Sequence, residues 1–221
     1  MNENKRKVAL VSPTDDHTKE VIQRAIDDDV AQFECFYGDD ASAMAVECVR
    51  SGGADLLMKG AVNTDVLLRA ALDKEHGILQ PGRVMTHISV ANIPGWQRPL
   101  IFSDAAVIPH PDILQMDAIV RYTVEAARNL GIAIPKVALT NFTEKENPKF
   151  PQTAVYQEIR CRAAEGLYGD VVIGGPMDVK TALDSESGTI KGIDSPVVGN
   201  ADILIFPNIE AGNTFYKTIT L

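Results

Sequence analysis

Little in this sequence points to an oxidising compartment, a bilayer or a polyanion. Only three cysteines occur in 221 residues, Cys35, Cys48 and Cys161. They are scattered, odd in number and without metal-ligand spacing, which excludes a disulfide framework and predicts reduced thiols and a cytoplasmic address. The four histidines, His17, His76, His87 and His110, form no ligand motif. No apolar run is long enough to span a bilayer, and no apolar segment of signal-peptide length follows the basic start MNENKRK. Basic charge is in the minority, 21 Lys and Arg against 30 Asp and Glu, for a net charge of -9. That balance argues against nucleic acid and anionic membrane as main partners. It leaves room for a small anionic ligand, because single lysines and arginines focus one locally. Two nucleotide signatures are also missing. There is no Walker-type phosphate loop, and no Gly-x-Gly-x-x-Gly follows a strand, so a Rossmann dinucleotide site is unsupported. Aromatic residues make up 6% of the chain, with Trp96 the single tryptophan, and no repeat or low-complexity segment occurs.

What is present is an alternation of short apolar runs with helical stripes. Residues 7–11 (KVALV), 33–37 and 55–58 read as strands. Residues 18–26, 41–50 and 64–72 read as helices, the last capped by Asn63 or Thr64. This β-α-β-α-β-α order predicts a parallel sheet with right-handed crossovers, whose ligands bind at the carboxyl ends of strands. Residues 83–93 then alternate, turn at Pro94-Gly95-Trp96 and meet 99–103, a signal for an antiparallel hairpin. A long helix is expected over 112–130, a strand over 135–139, a polar loop over 141–151 and a helix over 153–167. A strand over 170–173 is expected to end at Gly174-Gly175-Pro176, with 184–192 as a helix edge or loop. The length suits one large α/β domain or two lobes, with a joint near 81–104.

The stretch 201–217, ADILIFPNIEAGNTFYK, organises the rest. It reads as a buried strand stopped by Pro207-Asn208, then a Gly212-Asn213 turn opening a helix at Thr214. Such a junction offers free N–H groups and a favourable dipole to an anion. It is equally an ordinary loop with glycine for its turn. Three more strand ends carry candidates. Lys59, with Gly60 and Thr64 after it, is placed to ion-pair with a ligand phosphate or with Asp104 or Glu210. Arg69, one turn beyond the cap, reaches the same cleft or a solvated face. Asp104, after Ser103, is a ligand acceptor or a cap for the loop at Pro109. Gly174-Gly175, before Pro176, allows close approach of a ligand or makes a tight turn. His87 and His110 fit packed or exposed positions better than catalytic ones.

Taken together these junctions resemble the phosphate acetyltransferase and butyryltransferase family. The carrying text is ADLLMKGAVNTDVLLRAALDKEHGI at 54–78, PLIFSDAAVIPHPD at 99–112 and KVALTNFTE at 136–144. It continues as GGPMDVKTAL from 174 and KGIDSPVVGNADILIFPNIEAGNTFYK at 191–217. The butyryl-type branch looks closer, from Lys59-Gly60 with Thr64 and from Lys191-Gly192-Ile193. The resemblance implies a three-layer α/β/α fold similar to isocitrate and isopropylmalate dehydrogenases, with two lobes and a homodimer. It implies reversible transfer of a short acyl group (acetyl, propionyl or butyryl) between coenzyme A and phosphate. Acyl-CoA and phosphate are then the partners, CoA being a substrate, and no metal or redox cofactor takes part. It also implies substrate binding by Lys59, Gly60, Thr64, Arg69, Ser103, Asp104, Gly175, Pro176, Glu210, Gly212 and Asn213.

Three departures accompany the resemblance. The family's Ser-Arg-Gly segment, whose arginine and nearby aspartate serve phosphate binding and thiol deprotonation, is absent, and the sequence stops at Leu221. Lys180 stands where Gly-Pro-x-x-x-Asp is usual. The region 33–51 is shorter than the family's. The alternative these departures raise is a truncated or impaired relative that binds CoA or phosphate. A decarboxylating dehydrogenase of the same broad fold would need clustered aspartates and an arginine-rich motif, and neither is evident.

Overall fold

The computed structural model describes residues 5–96 and 98–220. The chain forms two compact units, Met1–Arg83 and Val84–Leu221.

In the first unit β1 (Arg6–Val11), α1 (Asp16–Asp27), β2 (Ala31–Phe36), α2 (Ala41–Arg50), β3 (Leu56–Lys59) and α3 (Thr64–Ala71) alternate as the apolar pattern predicts. The sheet runs β2-β1-β3 and is wholly parallel. Its core is built from small residues: Ala9 and Val11 of β1 meet Ala41 and Ala45 of α2, with Ala54 and Leu67 beside them. Helix starts follow local side chains. Asp15 accepts from the Thr18 N–H and hydroxyl, and Asn63 accepts from the Asp65 N–H, satisfying donors that have no intrahelical partner.

The second unit holds β4 (Ser89–Ala91), β5 (Leu100–Ser103), α4 (Ile113–Asn129), β6 (Lys136–Thr140) and α5 (Pro151–Ala164). They are followed by β7 (Val172–Met177), α6 (Val179–Leu183), α7 (Ser185–Lys191), β8 (Ile203–Ile205) and α8 (Ile209–Ile219). The sheet order is β4-β5-β8-β6-β7. Only the β4–β5 pair is antiparallel. Strand side chains alternate between two apolar layers. Ile101, Val137, Leu139, Ile203 and Ile205 face Met116, Ile119 and Val120 of α4 and Tyr156 and Ile159 of α5. Leu100, Phe102, Ala138 and Leu204 face Ala182 of α6 and Phe215 of α8. Helices therefore cover both faces, the three-layer α/β/α arrangement. Near-complete burial explains why these strands read as continuous apolar runs.

Four expectations are corrected. The eight strands form two sheets. The long alternating run 83–93 contributes only Ser89–Ala91 as strand; Thr86 and His87, just before it, bond to Asp104 instead. Residues 178–192 are two short helices, started by Asp178 accepting from the Thr181 N–H and Asp184 accepting from the Glu186 N–H. The Gly174-Gly175 pair does not end a strand. It lies inside β7, where a Cβ on Gly175 would sit 2.5 Å from the Leu139 carbonyl oxygen and one on Gly174 2.9 Å from the Ser195 hydroxyl. The glycines are required here for close approach of the neighbouring chain.

Candidate functional site at the carboxyl ends of the strands

In the first unit β1 and β3 are neighbours; the right-handed crossovers put α1 and α2 on opposite faces, and Leu67 of α3 packs with Ala41 and Ala45 of α2, so the helices that follow β1 and β3 lie on opposite faces. That is a switch point, and its crevice is bounded by residues 12–15 and 60–63. Ser12 sits there with φ 50°, a left-handed conformation uncommon outside glycine. Its carbonyl accepts from the Ala61 N–H, and the Gly60 N–H donates to Val11. A Cβ on Gly60 would lie 2.5 Å from the Val11 carbonyl oxygen, so glycine is needed for the two strand ends to close.

Lys59 stands at this end. Its ammonium donates to the carbonyls of Gly60 at 3.2 Å and Val62 at 3.0 Å, curling over the loop that leads into α3. Thr64 opens that helix as its first residue, one after the cap. Arg69 is exposed on α3 and lines a cleft of about 620 Å³ with Val46, Val66, Ala70 and Asp73. Lys59 is not part of that lining. Of its two expected positions, Arg69 takes the solvated helix face.

In the second unit, β5 and β8 are adjacent, and the helices that follow them, α4 and α8, pack on opposite faces. This is a second switch point. Ser103 and Asp104 end β5, joined by a cis peptide bond. Asp104 is buried and saturated. One carboxylate oxygen accepts from the N–H groups of Ala106 and Val107 at 2.8 and 2.9 Å. The other accepts from the Thr86 hydroxyl at 2.7 Å and from the N–H groups of His87 and Ile108. Of its two expected roles, Asp104 fills that of loop cap. Thr86 also reaches the Ser103 hydroxyl at 3.2 Å. No sequence signal marked Thr86, because its partners are 17 and 18 residues away.

The Gly212-Asn213 turn is a correction. Helix α8 begins at Ile209, capped by Asn208, whose side chain accepts from the Ala211 N–H. Gly212 and Asn213 are inside the helix. The Ile209 N–H donates to Pro109 and that of Gly212 to Asn208. Protein acceptors thus take two of the first-turn donors that an anion would have used, those of Ile209 and Ala211; the Gly212 bond is the helix's own. Gly212 brings the helix onto the 104–108 loop, and Asn213 fastens it there by donating to the Ala105 carbonyl at 3.0 Å. Glu210 is exposed, 3.8 Å from His110. The His87 ring packs edge-on against Tyr216, its Nδ1 buried without a partner among the described residues.

Gly175 and Pro176 lie on β7, the edge strand beside β6. The Arg160 guanidinium holds the Gly175 carbonyl at 3.0 Å. Asp178, one residue beyond β7, contacts Lys191. Partial burial raises the Asp178 carboxyl, but the Lys191 ammonium and the Thr181 N–H and hydroxyl outweigh this and bring it down to about 2. Among the described residues no helix is long and apolar enough to cross a membrane.

The comparisons agree with this architecture. Residues 5–221 match the family described as phosphate acetyl/butaryl transferase. The phosphate acetyltransferase of Thermotoga maritima is 32% identical over 239 residues, covering 97% of this chain and 81% of that protein. The matched span exceeds the chain's 221 residues, so the relative carries residues that this chain lacks. The phosphate butyryltransferase of Clostridium acetobutylicum is 39% identical over 180 residues, covering 81% of this chain and 60% of that protein. A branched-chain phosphotransacylase from Enterococcus faecalis superposes with a TM-score of 0.83 at 24% identity, over 97% of this chain and 84% of that one. The last likeness establishes the fold. With a family match across nearly every residue, the chain belongs to the phosphate acetyl/butyryltransferase family, a family of acyltransferases.

Proposed function

We propose that this protein transfers a short-chain acyl group between coenzyme A and inorganic phosphate. The observation that carries the proposal is the family match over residues 5–221, which spans all eleven candidate residues. A phosphate oxygen attacks the thioester carbonyl, a tetrahedral oxyanion forms, the C–S bond breaks and the CoA sulfur leaves to take a proton. No metal or redox cofactor enters this scheme. Positioning two anionic substrates and stabilising the oxyanion are the main tasks. Lys59 is suited to phosphate because, among the described residues, its ammonium is tied only to neutral carbonyls. Arg69, exposed on α3, suits the phosphates of CoA. Gly60 and Thr64 lie between the end of β3 and the start of α3, Ser103 and Asp104 at the end of β5, Glu210, Gly212 and Asn213 in the first turns of α8, and Gly175 and Pro176 on the β7 edge. Of these, Asp104 and Gly212 act by shaping the chain.

The 39% identity to a butyryltransferase favours a butyryl-type substrate. The working form is read as a cytoplasmic homodimer, from the family and the scattered thiols. The test is thiol release from acetyl-, propionyl- and butyryl-CoA, with and without phosphate. Phosphate-dependent release, fastest with butyryl-CoA, is expected. No release, with CoA still bound in calorimetry, would leave the alternative of a binding relative.

A further inference from the structure

The polar segment 141–150 is tied to the β7–α6 corner by two cations from different helices. Arg160 of α5 donates to Glu146 at 2.6 Å and, through its other terminal nitrogen, to the Gly175 carbonyl at 3.0 Å. Lys191, the last residue of α7, contacts both Glu144 and Asp178. Each cation therefore joins one acid of the segment to one acceptor on the corner. The four acids and bases are 30–41% exposed, where an isolated pair contributes little. Two pairs sharing one segment differ from that. The second closes over a loop already ordered by the first, with less entropy left to lose. The segment's backbone is fixed beneath them: the Asn141 N–H donates to the Met177 carbonyl. Phe142 and Phe150 pack edge to face at 4.7 Å, with Phe142 71% exposed.

We propose that Arg160 and Lys191 are positioning residues, a double clamp that holds segment 141–150 against the β7–α6 corner and thereby fixes Gly175 and Pro176 for acyl-CoA. The substrate part of this inference rests on the proposed acyl transfer. The clamp itself rests on the contacts alone.

Lys145 and Lys149 lie inside the segment and make it a trypsin target, so cleavage reads the clamp directly. In Arg160→Ala and Lys191→Ala, cleavage after Lys145 and Lys149 accelerates. The KM for acyl-CoA rises about five- to tenfold while kcat stays within about twofold, the signature of lost positioning. Arg160→Lys keeps one contact of the two and falls between. Unchanged cleavage in both alanine variants overturns the clamp. Faster cleavage with unchanged KM overturns its link to substrate. If the wild-type chain shows no phosphate-dependent release, the proposed activity fails on its own. Cleavage rates and CoA affinity by calorimetry then judge the clamp separately.

Discussion

Gly212 sits so close to Asp104 that a Cβ would lie 2.1 Å from the Asp104 carbonyl oxygen. No rotamer relieves such a contact, because both partners are backbone. The first turns of α8 and the loop after β5 are therefore fitted as one piece. Gly212→Ala is expected to destabilise the protein by about 1–3 kcal/mol through overpacking and to lower acyl transfer by displacing the 104–108 loop. Denaturant unfolding and the thiol-release rate check both.

Asp104 holds that loop with five acceptor contacts. Asp104→Asn turns one acceptor oxygen into a donor that faces N–H groups. The expected loss is about 1–3 kcal/mol, the cost of buried polar groups left unpaired. A variant as stable as wild type in urea would show that the loop is held by something else.

Tyr156 is fully buried and donates to the Thr140 carbonyl at 2.9 Å. Burial pushes its phenol up, so it stays neutral through the physiological range. Tyr156→Phe removes one hydrogen bond and is expected to cost about 1 kcal/mol. Tyr156→Ala opens a cavity and is expected to cost about 3–5 kcal/mol. The ratio of the two separates the hydroxyl from the ring.

Asp178 gives a pH test. Its folded carboxyl is depressed to about 2 from a value near 3.8. A depressed acid stabilises the fold above its unfolded pKa and loses that contribution as pH falls through the folded one. The stability difference between wild type and Lys191→Ala should thus be constant above about pH 5 and shrink toward pH 2. Paired acid titrations, compared as a difference, remove the other carboxylates from the reading.

Lys59→Ala removes the ammonium at the end of β3. The KM for phosphate is expected to rise about tenfold with a smaller change in acyl-CoA KM. Equal changes in both would assign Lys59 to holding its loop through the Gly60 and Val62 carbonyls.

How legible all this was depends on the range of the forces involved. Helix α2 was readable to the residue, because the Ala45 and Val46 stripe and the Ser51-Gly52 stop act locally. The cap at Asn63 or Thr64 was readable for the same reason, and Asn63 fills it. Gly212 misled because glycine after a strand usually signals a turn, whereas here it is demanded by a backbone 108 residues earlier. Gly174 and Gly175 misled in the same way, their reasons being Ser195 and Leu139. Thr86 and Arg160 gave no pattern at all, and Lys191 none that pointed to this contact. Each earns its place through a partner that only the tertiary structure supplies.

Helix α1 has no buried residue, and its apolar Val21 and Ile26 are 41% and 48% exposed. Its hold on the rest is therefore slight. Its amide protons should be among the first to exchange with deuterium, well before those of β1. The same looseness makes it the stretch where substitutions accumulate at least cost. A spectroscopic label placed there would report on tumbling of the first unit without disturbing either strand-end crevice.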